Sequence, residues 1–380
     1  MATVVTEGLI RELARFRAAG GCAVSLYIDF DPSSVPTVPA EHTKLNSAID
    51  EAHKGSEELS ESRGRDCKMA LRADFERLRA WAQNEFDRDG ARALAVYASS
   101  ADGLFRVVPL VGAVSEGFEV GPQLWLTPLV AQQGRGEGAI VAVISRERGV
   151  VYGLHGGRLE ELVDESEEVP GQHDQGGWSQ ARYQRHIENI VQRHIKAVGE
   201  EIDRTVRGSG RRHMVVVAPE EMRGEIESEL SHEVKESIVG WTSAEAHASP
   251  EELLAHVRPL LDEADARDEA QVLARWEELR GRGERFTSGW AATLEAASDA
   301  RIETLLLEDG ATHQAWQCPQ DGRAQIVPGN CPLDGTPMEE REDGGDVAVH
   351  LTIANGGSIV RPGKGALGGD AEGVGAVLRF

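Results

Sequence analysis

The sequence predicts an α/β protein of three domains, and three observations carry that expectation. Short apolar runs of strand character alternate with amphipathic helical stretches along the chain. A continuous apolar run, Ala139-Ile140-Val141-Ala142-Val143-Ile144, has the composition of a strand buried on both faces of a sheet. The length of 380 residues suits two or three domains, and the linker Gly134-Arg135-Gly136-Glu137-Gly138 marks a boundary. The expected division is an N-terminal α/β domain over 1–133, a middle domain over 134–264 and a C-terminal α/β domain over 265–380. In the middle domain a mixed sheet leads through a glycine loop into a long basic amphipathic helix.

In chain order, Leu9, Leu13 and Phe16 repeat at helical spacing, and Gly20-Gly21 stops that helix. Ala23 to Phe30 alternates as a strand, and Pro32, Pro36 and Pro39 mark the loop after it. Helical stretches follow near 40–54 and 66–87, then a strand pair, Ala93 to Ala98 and Leu104 to Val111, around Asp102-Gly103. After Ala139 to Ile144, strands are expected at Val150 to Leu154 and Leu159 to Val163, then a polar loop from about 165 to 177. A long helix, a buried strand from His213 to Ala218 and acidic helices to about Asp262 complete the middle domain. The last third opens with a charged helix around Val272 to Leu279. It continues with helix Trp290 to Ala297, strand Ile302 to Leu307, a Cys-Pro hairpin, helix Val347 to Ala354 and strand Ser358 to Val360.

Composition bounds the function. No run approaches the about 20 apolar residues of a membrane span, and Met1 to Ile10 has no basic, apolar signal pattern. Four cysteines are too sparse for a disulfide framework, so a cytoplasmic protein is expected. The net charge of −24 reads first as solubility, and it makes any contact with nucleic acid a local matter of particular Lys and Arg residues.

A stripe of such residues follows a glycine loop in the middle domain. The segment Gly176-Gly177-Trp178-Ser179-Gln180-Ala181-Arg182 joins a paired-glycine loop to the start of a helix. Glycines let the backbone come close to a substrate, and the free N–H groups at a helix mouth favour developing negative charge. A neutral amide such as Gln180 is no strong base, but it can position a water and help stabilise an oxyanion during attack on an activated ester. Along the helix, Ile187, Val191, Ile195, Val198 and Ile202 fall on one face, with Arg182, Arg185, Asn189, Arg193 and Lys196 almost opposite. Taken alone such a face is ordinary solvated surface. Its position directly after the glycine loop, in an acidic chain, marks its four cations as candidates for RNA phosphates.

With these residues the sequence resembles class I release factors of the archaeal and eukaryotic type and their bacterial relatives, a group that includes Pelota-like proteins. In that group a middle domain carries a Gly-Gly-Gln loop into the peptidyl-transferase centre. Gly177-Trp178-Ser179-Gln180 matches the Gly-x-x-Gln form found in peptidyl-tRNA hydrolases of ribosome quality control. The resemblance implies that Gln180, in a loop with Gly176, Gly177 and Ser179, positions the hydrolytic water, and that Arg182 and Arg185 meet tRNA or ribosomal RNA. The implied partners are the ribosomal A site, peptidyl-tRNA and a translational GTPase, with no cofactor required. It is strongest in the middle domain and extends to the end, Glu372 to Phe380, and more thinly to Val24 to Pro32. Trp178 and Ser179 are insertions relative to a strict Gly-Gly-Gln loop, and no Asn-Ile-Lys-Ser motif occurs. Rescue or quality control without stop-codon reading is therefore expected. The alternative is a hibernation factor that occupies the A site of idle ribosomes without hydrolysis, as some bacterial relatives do.

A second constellation is Cys318-Pro319-Gln320-Asp321-Gly322 with Cys331-Pro332-Leu333-Asp334-Gly335. It resembles a zinc ribbon in which the second thiolate of each knuckle has become Asp. Structural zinc prefers Cys and His, so a metal-free hairpin is the first expectation and zinc on Cys318, Cys331, Asp321 and Asp334 the second, with His313 a spare ligand. Other motifs fail on spacing. Gly363-Lys364-Gly365 lacks a P-loop's Ser or Thr, and His232 to Glu236 lacks the second His of a zinc-protease helix. The repeated Gln-Arg-His-Ile, with His186 and His194, reads as helical coincidence, and Asp29 and Asp31 read as turn caps.

Overall fold

The computed structural model describes residue 5 and residues 7–19, 22–88, 90–110, 112–132, 138–155, 157–166, 180–209, 213–245 and 247–380, without the side chains of 7, 58–63, 180–188 and 208–209. The chain forms two compact units, Met1–Gln133 with Glu269–Phe380, and Gly134–Asp268.

The N-terminal segment contains α1 (Glu7–Ala14), β1 (Ala23–Asp29), α2 (Val38–Arg63), α3 (Arg65–Asn84), β2 (Ala93–Ser99), β3 (Leu104–Leu110), β4 (Gly117–Gly121) and α4 (Thr127–Ala131). Its sheet has the order β3-β2-β1-β4 with every pair antiparallel. The turn expected at Asp102-Gly103 joins β2 to β3. Gly103 takes φ +70° there, a conformation that favours glycine, and Ser99 Oγ donates to Asp102 at 2.6 Å. Thr37 caps α2 by accepting from the Ala40 N–H at 3.4 Å. Alternation along β1 and β2 sends Val24, Leu26, Ile28, Leu94 and Val96 to the face covered by Leu45, Ile49, Leu71, Phe75 and Leu78 of α2 and α3.

Asp29 and Asp31 behave as turn and pairing residues. Asp29 Oδ1 accepts from Arg92 Nε at 2.7 Å, while Asp31 accepts from the Ser33 N–H at 2.8 Å and from Ser33 Oγ at 2.7 Å. Cys22 and Cys67 form a disulfide, with Cα atoms 5.4 Å apart, that ties the entry of β1 to α3. Four cysteines in the sequence make no framework, but the fold brings two of them into bonding distance.

The middle unit holds β5 (Ile140–Ile144), β6 (Gly149–His155), β7 (Arg158–Asp164), α5 (Gln180–Ser209), β8 (Met214–Val217), α6 (Arg223–Glu229), α7 (His232–Ser237), β9 (Ile238–Thr242) and the start of α8 (Pro250–Arg282). Its sheet, ordered β7-β6-β5-β8-β9, is mixed. The β5–β6 and β6–β7 pairs are antiparallel, and β5–β8 and β8–β9 are parallel. One face packs Ile140, Ala142 and Val216 against Val191, Ile195, Val198 and Ile202 of α5. The other packs Val141, Val143 and Val215 against Leu253, Val257 and Leu261 of α8. A sheet covered on both faces explains the unbroken apolar run at β5.

The C-terminal segment follows with β10 (Phe286–Ser288), α9 (Trp290–Ser298), β11 (Ile302–Leu307), β12 (Ala315–Gln317), β13 (Ala324–Gln325), β14 (Glu339–Arg341), α10 (Gly344–Ala354), β15 (Ser358–Val360) and β16 (Val374–Leu378). Its main sheet runs β10-β16-β11-β15, and a small antiparallel sheet runs β13-β12-β14. The edge expected between 264 and 265 falls inside α8, because Pro250 to Arg282 is one helix and the expected helix at Val272 to Leu279 is its last part. The first and last segments also share a core. Tyr27, Ala95 and Leu129 cluster with Leu294, Leu305, Val347 and Val374.

Candidate functional site

Gly176, Gly177, Trp178 and Ser179 lie outside the described residues. The described residues fix what brackets them. On the entry side β7 ends at Asp164, whose carboxylate accepts from the Ser166 N–H at 3.0 Å. The hydrogen bonds from Ser166 hold the Asp164 carboxyl below its usual range. The Gly149 N–H donates to Ser166 Oγ at 3.3 Å, and Glu165 donates to the Gly149 carbonyl at 2.8 Å. On the exit side Gln180 is the first residue of α5. Gly149 also meets α5, since a β-carbon at this position would stand 2.3 Å from Val198 Cγ2 and 3.1 Å from His194 Cε1. Glycine here lets the strand, the loop entry and the helix converge.

The helix presents the two faces that the sequence spacing predicts. Val191, Ile195, Val198 and Ile202 are buried, and Asn189, Arg193 and Lys196 are exposed. The side chains of Gln180, Arg182, Arg185 and Ile187 are outside the described set. Between Gln180 and Ala197 the helix carries four cations and one acid, Glu188. Arg193 and Lys196 line a shallow recess of about 650 Å³ with Asn189, Ile190, Gln192 and Glu229. Neither cation has an ion-pair partner among the described residues. Farther along α5, Arg204 pairs with Glu201 and Arg207 pairs with Glu233 at 3.2 Å. Arg193 and Lys196 therefore stand near the middle of α5, about 20 Å or more along the helix axis from Gln180.

His194 points into the core and, among the described residues, both of its ring nitrogens lack a hydrogen-bond partner. It belongs to the packing beneath α5, and the side chain of His186 lies outside the described residues. Gln192, Ile190 and Glu229 were not singled out from the sequence. Gln192 and Ile190 carry no charge signal, and Glu229 joins the recess only through the fold of α6.

In the other unit, Cys318, Asp321, Cys331 and Asp334 come together. One ligand atom from each lies within 4.8 Å of all the others. His313 is not in this group, and its Nδ1 is 2.6 Å from the Gln314 carbonyl oxygen.

Residues 125–260 match the model of bacterial archaeo-eukaryotic release factor family 10. Over 61 residues the chain is 43% identical to peptide chain release factor subunit 1 of Aeropyrum pernix, covering 16% of each chain. It is 26% identical over 219 residues to peptide chain release factor subunit 1 of Archaeoglobus fulgidus, covering 53% of this chain and about half the length of that relative. Among solved structures it is similar to Dom34 of S. cerevisiae, a translation termination-like factor, with 12% identity, a TM-score of 0.39 and coverage of 76% of this chain and 79% of that one. Most of the middle unit is thus similar to a bacterial release-factor family, and the relatives that the chain matches over part of its length are archaeal release factors.

Proposed function

We propose that the protein is a ribosome-associated peptidyl-tRNA hydrolase, cleaving the ester between peptide and tRNA in rescue or quality control without reading stop codons. The observation that carries the proposal is the coincidence, on α5, of Gln180 at the first position and two uncompensated cations, Arg193 and Lys196, along the exposed face. In this reading the cations hold RNA phosphates and set the helix mouth against the ester. The Gln180 amide positions the attacking water, and the backbone N–H groups at the start of α5 favour the oxyanion that forms. Water attacks the carbonyl carbon, the ester C–O bond breaks, and the tRNA hydroxyl leaves with a proton. The glycines at 176 and 177 allow the close approach this requires.

The ribosomal A site, peptidyl-tRNA and a delivering translational GTPase are partners in the same proposal. The test is peptide release from peptidyl-tRNA on isolated large ribosomal subunits, run beside co-sedimentation. Release together with binding supports the hydrolase. Binding without release moves the assignment to silent occupancy of the A site, and release from peptidyl-tRNA without ribosomes contradicts ribosome dependence.

A further inference from the structure

The segments Cys318–Gly322 and Cys331–Gly335 fold into the same turn twice. In each, the glycine N–H donates back to the cysteine carbonyl, Gly322 to Cys318 at 3.0 Å and Gly335 to Cys331 at 2.9 Å. Both glycines have positive φ, +82° and +77°. The N–H groups of Cys318 and Cys331 donate to the carbonyls of Arg323 and Thr336, each at 2.8 Å. The N–H groups of Arg323 and Thr336 donate to Oδ1 of Asp321 and Asp334, each at 2.9 Å. Gln320 N–H and Leu333 N–H point to Sγ of Cys318 and Cys331, at 3.4 and 3.5 Å.

The backbone bonds shape the turns, and the N–H groups directed at sulfur and carboxylate prepare the ligands. An N–H directed at sulfur favours the thiolate over the thiol. An N–H on one carboxylate oxygen fixes the group while leaving the other oxygen available, as outer partners of metal ligands do. The turns are joined crosswise. Cys331 Sγ is 3.2 Å from Asp321 Oδ2, and Cys318 Sγ is 3.8 Å from Asp334 Oδ2. Tetrahedral zinc with Zn–S of about 2.3 Å and Zn–O of about 2.1 Å requires S···O edges of about 3.6 Å.

We propose that Cys318, Asp321, Cys331 and Asp334 bind a zinc ion that clamps the two turns together. On binding, both thiols give up protons to solvent and the metal forms two Zn–S and two Zn–O bonds. The sulfurs are buried and the carboxylates exposed, so the ion enters from the carboxylate side. The surrounding element has reason to use a clamp. β12, β13 and β14 contribute eight strand residues, and Val327 and Leu333 remain exposed. So small a sheet gains little from apolar burial of its own.

The experiment is metal analysis of the full chain purified with zinc present, followed by chelation and titration with cobalt(II). About one zinc per chain is expected, with cobalt giving intense visible bands of a tetrahedral site and a thiolate-to-metal charge-transfer band. Cys318→Ser with Cys331→Ser should abolish both signals, and Asp321→Ala with Asp334→Ala should abolish stoichiometric zinc. An unaltered chain with neither zinc nor a cobalt–thiolate spectrum would overturn the site. Zinc retained at full stoichiometry in the double aspartate variant would overturn this ligand set. The cobalt spectrum of the unaltered chain does not depend on any variant folding.

Discussion

At Gly149, a methyl group would have to displace Val198 from the core face of α5 or move the helix itself. Overpacking of this kind costs about 1–3 kcal/mol. Gly149→Ala should therefore lower the denaturant midpoint of the Gly134–Asp268 unit, and an unchanged midpoint would show that α5 yields without cost. In the other unit, burial first and then the nearby Glu119 carboxylate push Asp346 up to about 7, while burial pushes His350 down to about 4. Arg341, paired with Glu119 at 3.3 Å, adds to the depression of His350. The raised carboxyl favours the fold most at low pH, and its contribution is lost as pH rises through about 7. The depressed imidazole contributes fully above its ordinary value, and its share is lost as pH falls through about 4. The two slopes oppose each other between those values. Asp346→Asn should expose the histidine slope, so that the denaturant midpoint rises with pH from about 4 to about 6.5 more steeply than in the unaltered protein. Equal slopes in the two proteins would remove Asp346 from this account.

The element that matters most, α5, was legible because its apolar residues recur at steps of three and four and its cations fall opposite. β9 was not legible. Ile238 to Thr242 is only half-buried, follows two acidic helices and contains Gly240, so it lacks the apolar run that marks β5 and β8. Likewise α8 reads as two helices because its exposed charges interrupt the apolar pattern between the two units. The exposed face of α5 carries a prediction of its own. Replacing Arg193 and Lys196 by Glu should weaken co-sedimentation with ribosomes and reduce its salt dependence by roughly one unit of slope per lost phosphate contact. Unchanged binding would mean that these cations do not meet RNA.

For the molecule as a whole, the sequence showed alternating α/β elements and a boundary near the glycine linker. It did not show that the first and last segments share a core. Such sharing depends on pairs like Tyr27 and Val347, more than 300 residues apart, which no local pattern records. The Cys22–Cys67 disulfide is not legible in the sequence for the same reason, since proximity arises only when α3 packs beside β1. The knuckles were legible as a motif, whereas the convergence of their four ligands needed the fold. Across these scales the functional account rests on Gln180 at the head of α5. Alanine is the best helix former, so Gln180→Ala removes the amide while preserving the helix start. The measurement that tests the account most directly is release of labelled peptide from peptidyl-tRNA on large ribosomal subunits, unaltered protein against Gln180→Ala, with binding followed in parallel. The account predicts that release falls by about 100-fold or more, as for loss of a transition-state donor, while binding is retained. Release at the unaltered rate by the variant would contradict it.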